Sequence, residues 1–251
     1  MGDLTDQIVA VLLVSLRISP MFAFAQPFTL LRIPATVRLM LSISLAAWLV
    51  AANPDQTWRA PFWDTGLPMV MAGELFLGIS LALALQLAFA ALLTAGRAID
   101  IQGGFGLAVL VDPTTRSQMP LVGTVYAYAA AAVFFAIEGP HDLLAIWAAS
   151  VVQVPLGTAS ITGDPGILME YMAAVFLMAV GLVGILLLIL FLLDLTVAFL
   201  SRTLPQMNVL LFGFQVKAIA TLAALPLALA LSGGLFARLM RYALETMPQL
   251  I

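Results

Sequence analysis

YMAAVFLMAVGLVGILLLILFLLDLTVAFL, residues 171–200, is the stretch on which the fold turns. From Tyr171 to Leu193 it runs 23 residues without a charge, and about 20 apolar residues are enough for a helix to cross a hydrocarbon layer of roughly 30 Å. The apolar pattern then continues past Asp194 to Leu200. Some thirty helical residues rise about 45 Å, more than the hydrocarbon core is thick, so this helix must tilt, bend or leave the membrane.

Working outward, the same kind of run recurs. Reading uncharged apolar stretches gives about six long helical segments: Leu4–Ala25, Leu39–Ala52, Leu67–Ala95, Leu121–Ile137, Ile167–Phe199 and Ala218–Ala237. Turns are expected between them at Arg32-Ile33-Pro34, Asn53-Pro54-Asp55, Gly139-Pro140, Gly163-Asp164-Pro165-Gly166 and Pro205. The apolar stretch Leu143–Pro155 is too short for a span and reads as an interfacial or re-entrant helix. Pro20, Pro68 and Pro226 fall within or at the start of apolar runs, where each removes a backbone hydrogen bond and favours a kink. The expected fold class is an all-α integral membrane protein of about six long kinked helices. Composition agrees: hydrophobic residues are 63% of the chain and charged ones 9%, against roughly 45–50% and 25% in soluble domains. Mean hydropathy is +1.11.

The N-terminal run carries Ala23-Phe24-Ala25, which imitates a signal cleavage site, but it starts with Asp3 and Asp6 and contains Arg17. It reads as a retained span. In a six-span topology one side collects Arg32, Arg38, Arg97, Arg116, Arg202 and Lys217, and the other Arg59, Arg238 and Arg241. The positive-inside rule makes the first side cytoplasmic and both termini external.

The inventory for chemistry is poor. With no cysteine and His141 as the single histidine, disulfides, thiolate metal sites and multi-histidine centres are excluded. His141 lies in a turn-like Glu138-Gly139-Pro140-His141-Asp142 context, and Gly103-Gly104-Phe105-Gly106 lacks dinucleotide-binding spacing. No enzyme, cofactor or metal is expected. A net charge of −3 with scattered basic residues leaves no nucleic-acid footprint. Arg17, Glu74, Asp194 and Lys217 are the ionisable groups set within or beside apolar runs; they either mark span ends, pair for assembly, or form an ion or proton relay. Small residues four apart, Ala127/Ala131 and Ala132/Ala136, read as ordinary helix packing.

The least membrane-like long stretch is GRAIDIQGGFGLAVLVDPTTRSQMP, residues 96–120. Its glycines free the backbone and Pro113 ends any helix, so a shaped loop is expected. Phe105, Leu107, Val109, Leu110 and Val111 are too apolar for a loop in water. They are expected to be buried in protein or to line a closed passage.

The last two apolar runs are separated by Pro205, Gln206 and Asn208, which place a turn near 205–206. Residues equidistant from that turn come level in antiparallel helices. The midpoint of Asp194 and Lys217, the chain's only lysine, falls between Pro205 and Gln206, so an Asp194–Lys217 ion pair is expected. Arg202 is the other cation within reach along the chain, but eight residues of helix put it roughly 12 Å from Asp194. If the site were buried, stranding one partner would cost about 3–5 kcal/mol.

Ile33-Pro34 with Val37-Arg38, then Gly96, Ile99, Gln102 and Gly104, Val111-Asp112-Pro113 and Pro120 form a pattern that resembles the FliR family. Ser201-Arg202, Pro205-Gln206, Asn208, Gly213 and Lys217 resemble that family's C-terminal signature. The family is the export-gate subunit of flagellar type III secretion and is similar to the SctT proteins of injectisomes. The resemblance implies a subunit of a core complex with FliP-like and FliQ-like subunits, wrapped by an FlhB-like subunit. That complex passes unfolded export substrates across the bacterial inner membrane at the flagellar basal body. It further implies a FliP-like part over residues 1–165 with a plug loop at 103–120, then a FliQ-like helical hairpin over 166–251. The plug would comprise Phe105, Gly106, Leu107, Leu110, Val111, Asp112 and Pro113. Competing readings are an injectisome subunit of the SctT type, a small polytopic secondary transporter and a purely structural membrane scaffold.

Overall fold

The computed structural model describes residues 4–31, 33–57, 66–105, 120–159, 165–203 and 209–250. They form α1 (Leu4–Phe24), α2 (Ala35–Ala52), a single turn α3 (Pro54–Thr57), α4 (Leu67–Gln102), α5 (Leu121–Ala136), α6 (Gly139–Gln153), α7 (Pro165–Thr203), α8 (Val209–Leu231) and α9 (Gly233–Thr246), closed by a 3₁₀ turn at Met247–Leu250. No strand occurs among the described residues. Five helices are long and apolar enough to cross a bilayer, and six spans result if the broken pair α5–α6 counts as one.

The chain packs into two compact units. One is made of residues 1–87, 134–172 and 240–251, the other of 88–133 and 173–239. In the first, Phe22 lies 4.8 Å from Phe28 and 5.7 Å from Trp147, centroid to centroid, and Phe28 meets Phe134 edge-on at 6.4 Å. Tyr171 stacks on Tyr242 and donates its hydroxyl proton to the Ala84 carbonyl at 2.5 Å, which gives a buried phenol the partner it requires. In the second unit Tyr126 packs on Phe236 and donates to the Leu182 carbonyl.

The prolines act as their positions dictate. Pro68 is the second residue of α4, where its missing N–H is one that no helix uses. Pro20 lies inside α1, which continues through it, and it leaves the Leu16 carbonyl without its helical donor. Gly78 of α4 packs its backbone against the carbonyls of Leu16 and Arg17. Only a residue without Cβ permits that approach, so proline and glycine together make the α1–α4 crossing.

Several boundaries differ from the sequence reading: α2 starts at Ala35 and not Leu39, α8 starts at Val209 and not Ala218, and three further differences have a visible cause. Residues 96–102 were expected in a loop, yet α4 runs on to Gln102, because Gly96 serves close packing and not a turn: a Cβ there would collide with the backbone of Gly123 in α5. The helix ends at Gln102, just before Gly104, whose φ of +86° is the left-handed conformation of a helix cap. The expected run Ala218–Ala237 is broken between α8 and α9 at Ser232, whose carbonyl accepts from the N–H groups of Leu235 and Phe236. The expected short helix starts earlier than Leu143: Glu138, left-handed at φ 63°, turns the chain, and Gly139-Pro140 opens α6.

Candidate functional site

The segment 103–120, expected to form a plug, is described at its two ends. Phe105, half-buried, belongs to the described residues, whereas Gly106, Leu107, Leu110, Val111, Asp112 and Pro113 lie outside them. On one side of the segment α4 ends in Gly103 and Gly104; on the other Pro120 opens α5. These ends are tied together. Gly96 and Gly123 touch backbone to backbone, and the buried Asp100 carboxylate accepts the Val122 N–H at 3.0 Å. The first turn of α5 has N–H groups with no partner of its own, so a carboxylate from α4 satisfies one and complements the positive end of the helix.

The glycines at the end of α4 rest on α8. A Cβ at Gly104 would lie 2.8 Å from the Phe214 ring, and one at Gly103 would lie 3.1 Å from the Thr221 hydroxyl. The root of the segment 103–120 is therefore seated against the second helix of the C-terminal hairpin.

In that hairpin the Lys217 ammonium and the Asp194 carboxylate form a salt bridge between α8 and α7. Gly213 faces Val197 in the same pair of helices, and the midpoint of those two positions also falls at 205. Two independent contacts thus share one antiparallel register. The proposed turn residues Pro205, Gln206 and Asn208 lie outside the described residues. Asp194 keeps 41% of its side chain exposed and Lys217 14%, so within this chain the condition for a large buried-pair penalty is not met. A pair so exposed contributes about 0–1 kcal/mol.

The most buried charges are Arg17 and Glu74, which the sequence marks as out of place but does not pair. Arg17 Nη2 and Glu74 Oε2 are 2.7 Å apart with both side chains fully enclosed. Arg17 also donates to the Ser150 carbonyl at 2.8 Å and the Val154 carbonyl at 3.0 Å, at the end of α6. Glu74 Oε1 accepts the Gly157 N–H at 3.1 Å. Arg38 performs a simpler task, donating to the Phe22 and Ala23 carbonyls at the end of α1.

None of these groups forms a nucleophile–base arrangement, and among the described residues no three acidic or histidine side chains converge as a metal site. The arrangement is one of ties between helices. The description "Bacterial export proteins, family 1" belongs to the family model that matches residues 8–243. The chain is 27% identical to the flagellar biosynthetic protein FliR of Bacillus subtilis (strain 168) over 257 aligned positions, which cover 100% of this chain and 98% of that one. It is 29% identical to the FliR of Aquifex aeolicus (strain VF5), with 84% and 81% of the two chains covered. With the FliR of Escherichia coli (strain K12) the identity is 24%, over 80% of this chain and 77% of that one. A match over nearly the whole length, on an all-helical membrane fold, shows that the chain belongs to the bacterial export proteins of family 1, the FliR family of flagellar type III export.

Proposed function

We propose that this chain is a subunit of the flagellar protein export gate. With FliP-like and FliQ-like subunits it forms the channel for unfolded export substrates in the bacterial inner membrane, with an FlhB-like subunit around them. It catalyses no reaction of its own. Its N-terminal part, 1–165, is the FliP-like portion, and the hairpin from 166 to 251 is the FliQ-like portion; α7 starts at the division. The observation that carries the reading is the outer surface of α7. Met169, Leu177, Leu188, Phe191 and Phe199 are each more than half exposed, and the helix rises about 45 Å from the first to the last. To fit that face within a hydrocarbon core of roughly 30 Å the helix would need a tilt of about 48°, beyond the range of 0–40° that membrane helices show. Lipid alone does not cover it, so other protein must.

The loop 103–120 is the proposed closure of the channel. Its apolar residues Phe105, Leu107, Leu110 and Val111 exclude water, and hydrophobic constrictions close by dewetting. Support comes from the seating of Gly103 and Gly104 on α8 and from the Asp100 tie at the other end, which hold both ends of the loop. Deleting residues 105–116 in the assembled complex is expected to let small ions or dyes leak across the membrane while some export persists. An unchanged leak, with the abundance of the complex confirmed, overturns the plug assignment.

A further inference from the structure

Arg17 and Glu74 meet more than each other, and what else they meet has a direction. The guanidinium makes five nitrogen–oxygen contacts of 2.7 to 3.3 Å, matching its five N–H groups: two to Glu74 Oε2, one to the Ser150 carbonyl, one to the Ser150 hydroxyl and one to the Val154 carbonyl. The backbone acceptors lie at the C-terminal end of α6, which carries the partial negative charge of the helix; the Ser150 carbonyl also accepts the Val154 N–H at 2.9 Å, while Val154 lies just past the last helical residue. Glu74 lies on the far side of the guanidinium and reaches onward with its other oxygen to the Gly157 N–H, in the turn that follows α6. Gly157 is itself left-handed, at φ 84°. Gly73, beside Glu74, lies so close to the Ala159 carbonyl that a Cβ would come within 2.7 Å.

We propose that Arg17 and Glu74 are positioning residues. Together they cap the end of α6 and the turn after it from outside the helix, and fix where the chain leaves α6 on its way to α7. The cation is needed on the α1 side because it faces carbonyls, and the anion on the α4 side because it faces an N–H. This separates the site from the Asp194–Lys217 pair, whose recorded partners are each other. A bare ion pair tolerates exchange of its charges, and two buried charges are often replaced together by apolar residues without loss. The Arg17–Glu74 cap tolerates neither. Exchange would set a carboxylate against two carbonyls, and apolar replacement would leave the Val154 carbonyl and the Gly157 N–H without these partners, the Ser150 carbonyl keeping only the Val154 N–H.

The chain has no cysteine, so a single thiol reports on the end of α6. Val151 is fully buried there, and Val151→Cys in the gate complex, in native membranes, is expected to react slowly with a membrane-permeant maleimide. Arg17→Met, the exchange Arg17→Glu with Glu74→Arg, and the double variant Arg17→Met with Glu74→Met are each expected to raise the labelling rate at least tenfold. Arg17→Lys, which keeps the charge but only three donors, is expected to fall between. Protection in the exchanged or doubly apolar chain equal to the parent, or continued protection in Arg17→Met, overturns the proposal. Where a variant does not accumulate, its abundance answers the same question: recovery on exchange or on double apolar replacement shows a bare ion pair, and continued absence in both shows a cap.

Discussion

Glycine 96 shows how a single missing atom decides a contact. Its position against Gly123 admits no Cβ, and Gly123 in turn sits 2.9 Å, measured from where its own Cβ would be, from the Leu93 carbonyl. Gly96→Val is expected to force α4 and α5 apart and to destabilise the chain by about 1–3 kcal/mol, the range for overfilled packing. A lower midpoint of thermal unfolding of the co-expressed complex in detergent would register it; an unchanged midpoint would mean that the two backbones do not cross there. Residue pairs differ in how far they can be read from the chain. Asp194 and Lys217 were legible because one turn between two apolar runs fixes which residues come level. Arg17 and Glu74 are 57 residues apart on helices with no such shared turn, so only their misplaced charge was visible, and Asp100 on the Val122 N–H was not legible at all. For Asp194→Asn and Lys217→Met, the partial exposure of the pair reduces the expected coupling to about 1 kcal/mol or less in the isolated chain. Each single variant is expected to impair assembly or export more than the double, and the exchanged pair is expected to recover function; simple additivity would show that the two residues act separately.

At the scale of elements, hydrophobic runs located every long helix, since a bilayer or a protein interior demands uninterrupted apolar sequence and little else. The ends of the helices were less legible, because glycine has two physical uses that look alike in a sequence. Gly96 and Gly123 admit a neighbouring backbone, while Gly104 adopts a left-handed cap. Reading both as loop residues moved the end of α4 from Gln102 back to Ala95. Gly233 and Gly234 illustrate a third case. Both lie in α9, neither has positive φ, and a Cβ at either would meet nothing within 4 Å. Neither space nor backbone conformation requires glycine there. Gly233→Ala is therefore expected to stabilise the helix by up to about 1 kcal/mol by removing backbone freedom from the unfolded chain, seen as a higher unfolding midpoint. The break at Ser232 is expected to persist, since it lies outside the substituted position. A lowered midpoint in the purified complex would show that Gly233 has a steric role.

Among the described residues, the last two long helices present a continuous series of exposed apolar side chains. The exposed side chains of α7 continue on α8, where Ile219, Leu222, Leu227 and Leu231 are each more than half exposed. In its most apolar stretch α8 has only 17% of its residues buried within the chain, α2 22% and α7 33%, against 56% in α4. α8 is thus the least enclosed of these helices, and among the described residues it is held to α7 by one partly exposed ion pair and by the packing of Gly213 on Val197. Apolar helices in lipid associate through close packing and shared hydrogen bonds, not through a hydrophobic drive toward each other. A hairpin with so few internal ties needs neighbouring helices to hold it. Expressed alone, the chain is therefore expected to aggregate in mild detergent or to be degraded, with the hairpin the first region to yield to protease. Co-expression with FliP-like and FliQ-like subunits is expected to give a discrete complex on size exclusion and to protect residues 166–251 from cleavage. A monodisperse and protease-resistant monomer, made without those subunits, would mean that lipid and detergent suffice to cover α7 and α8, and would count against the gate assignment.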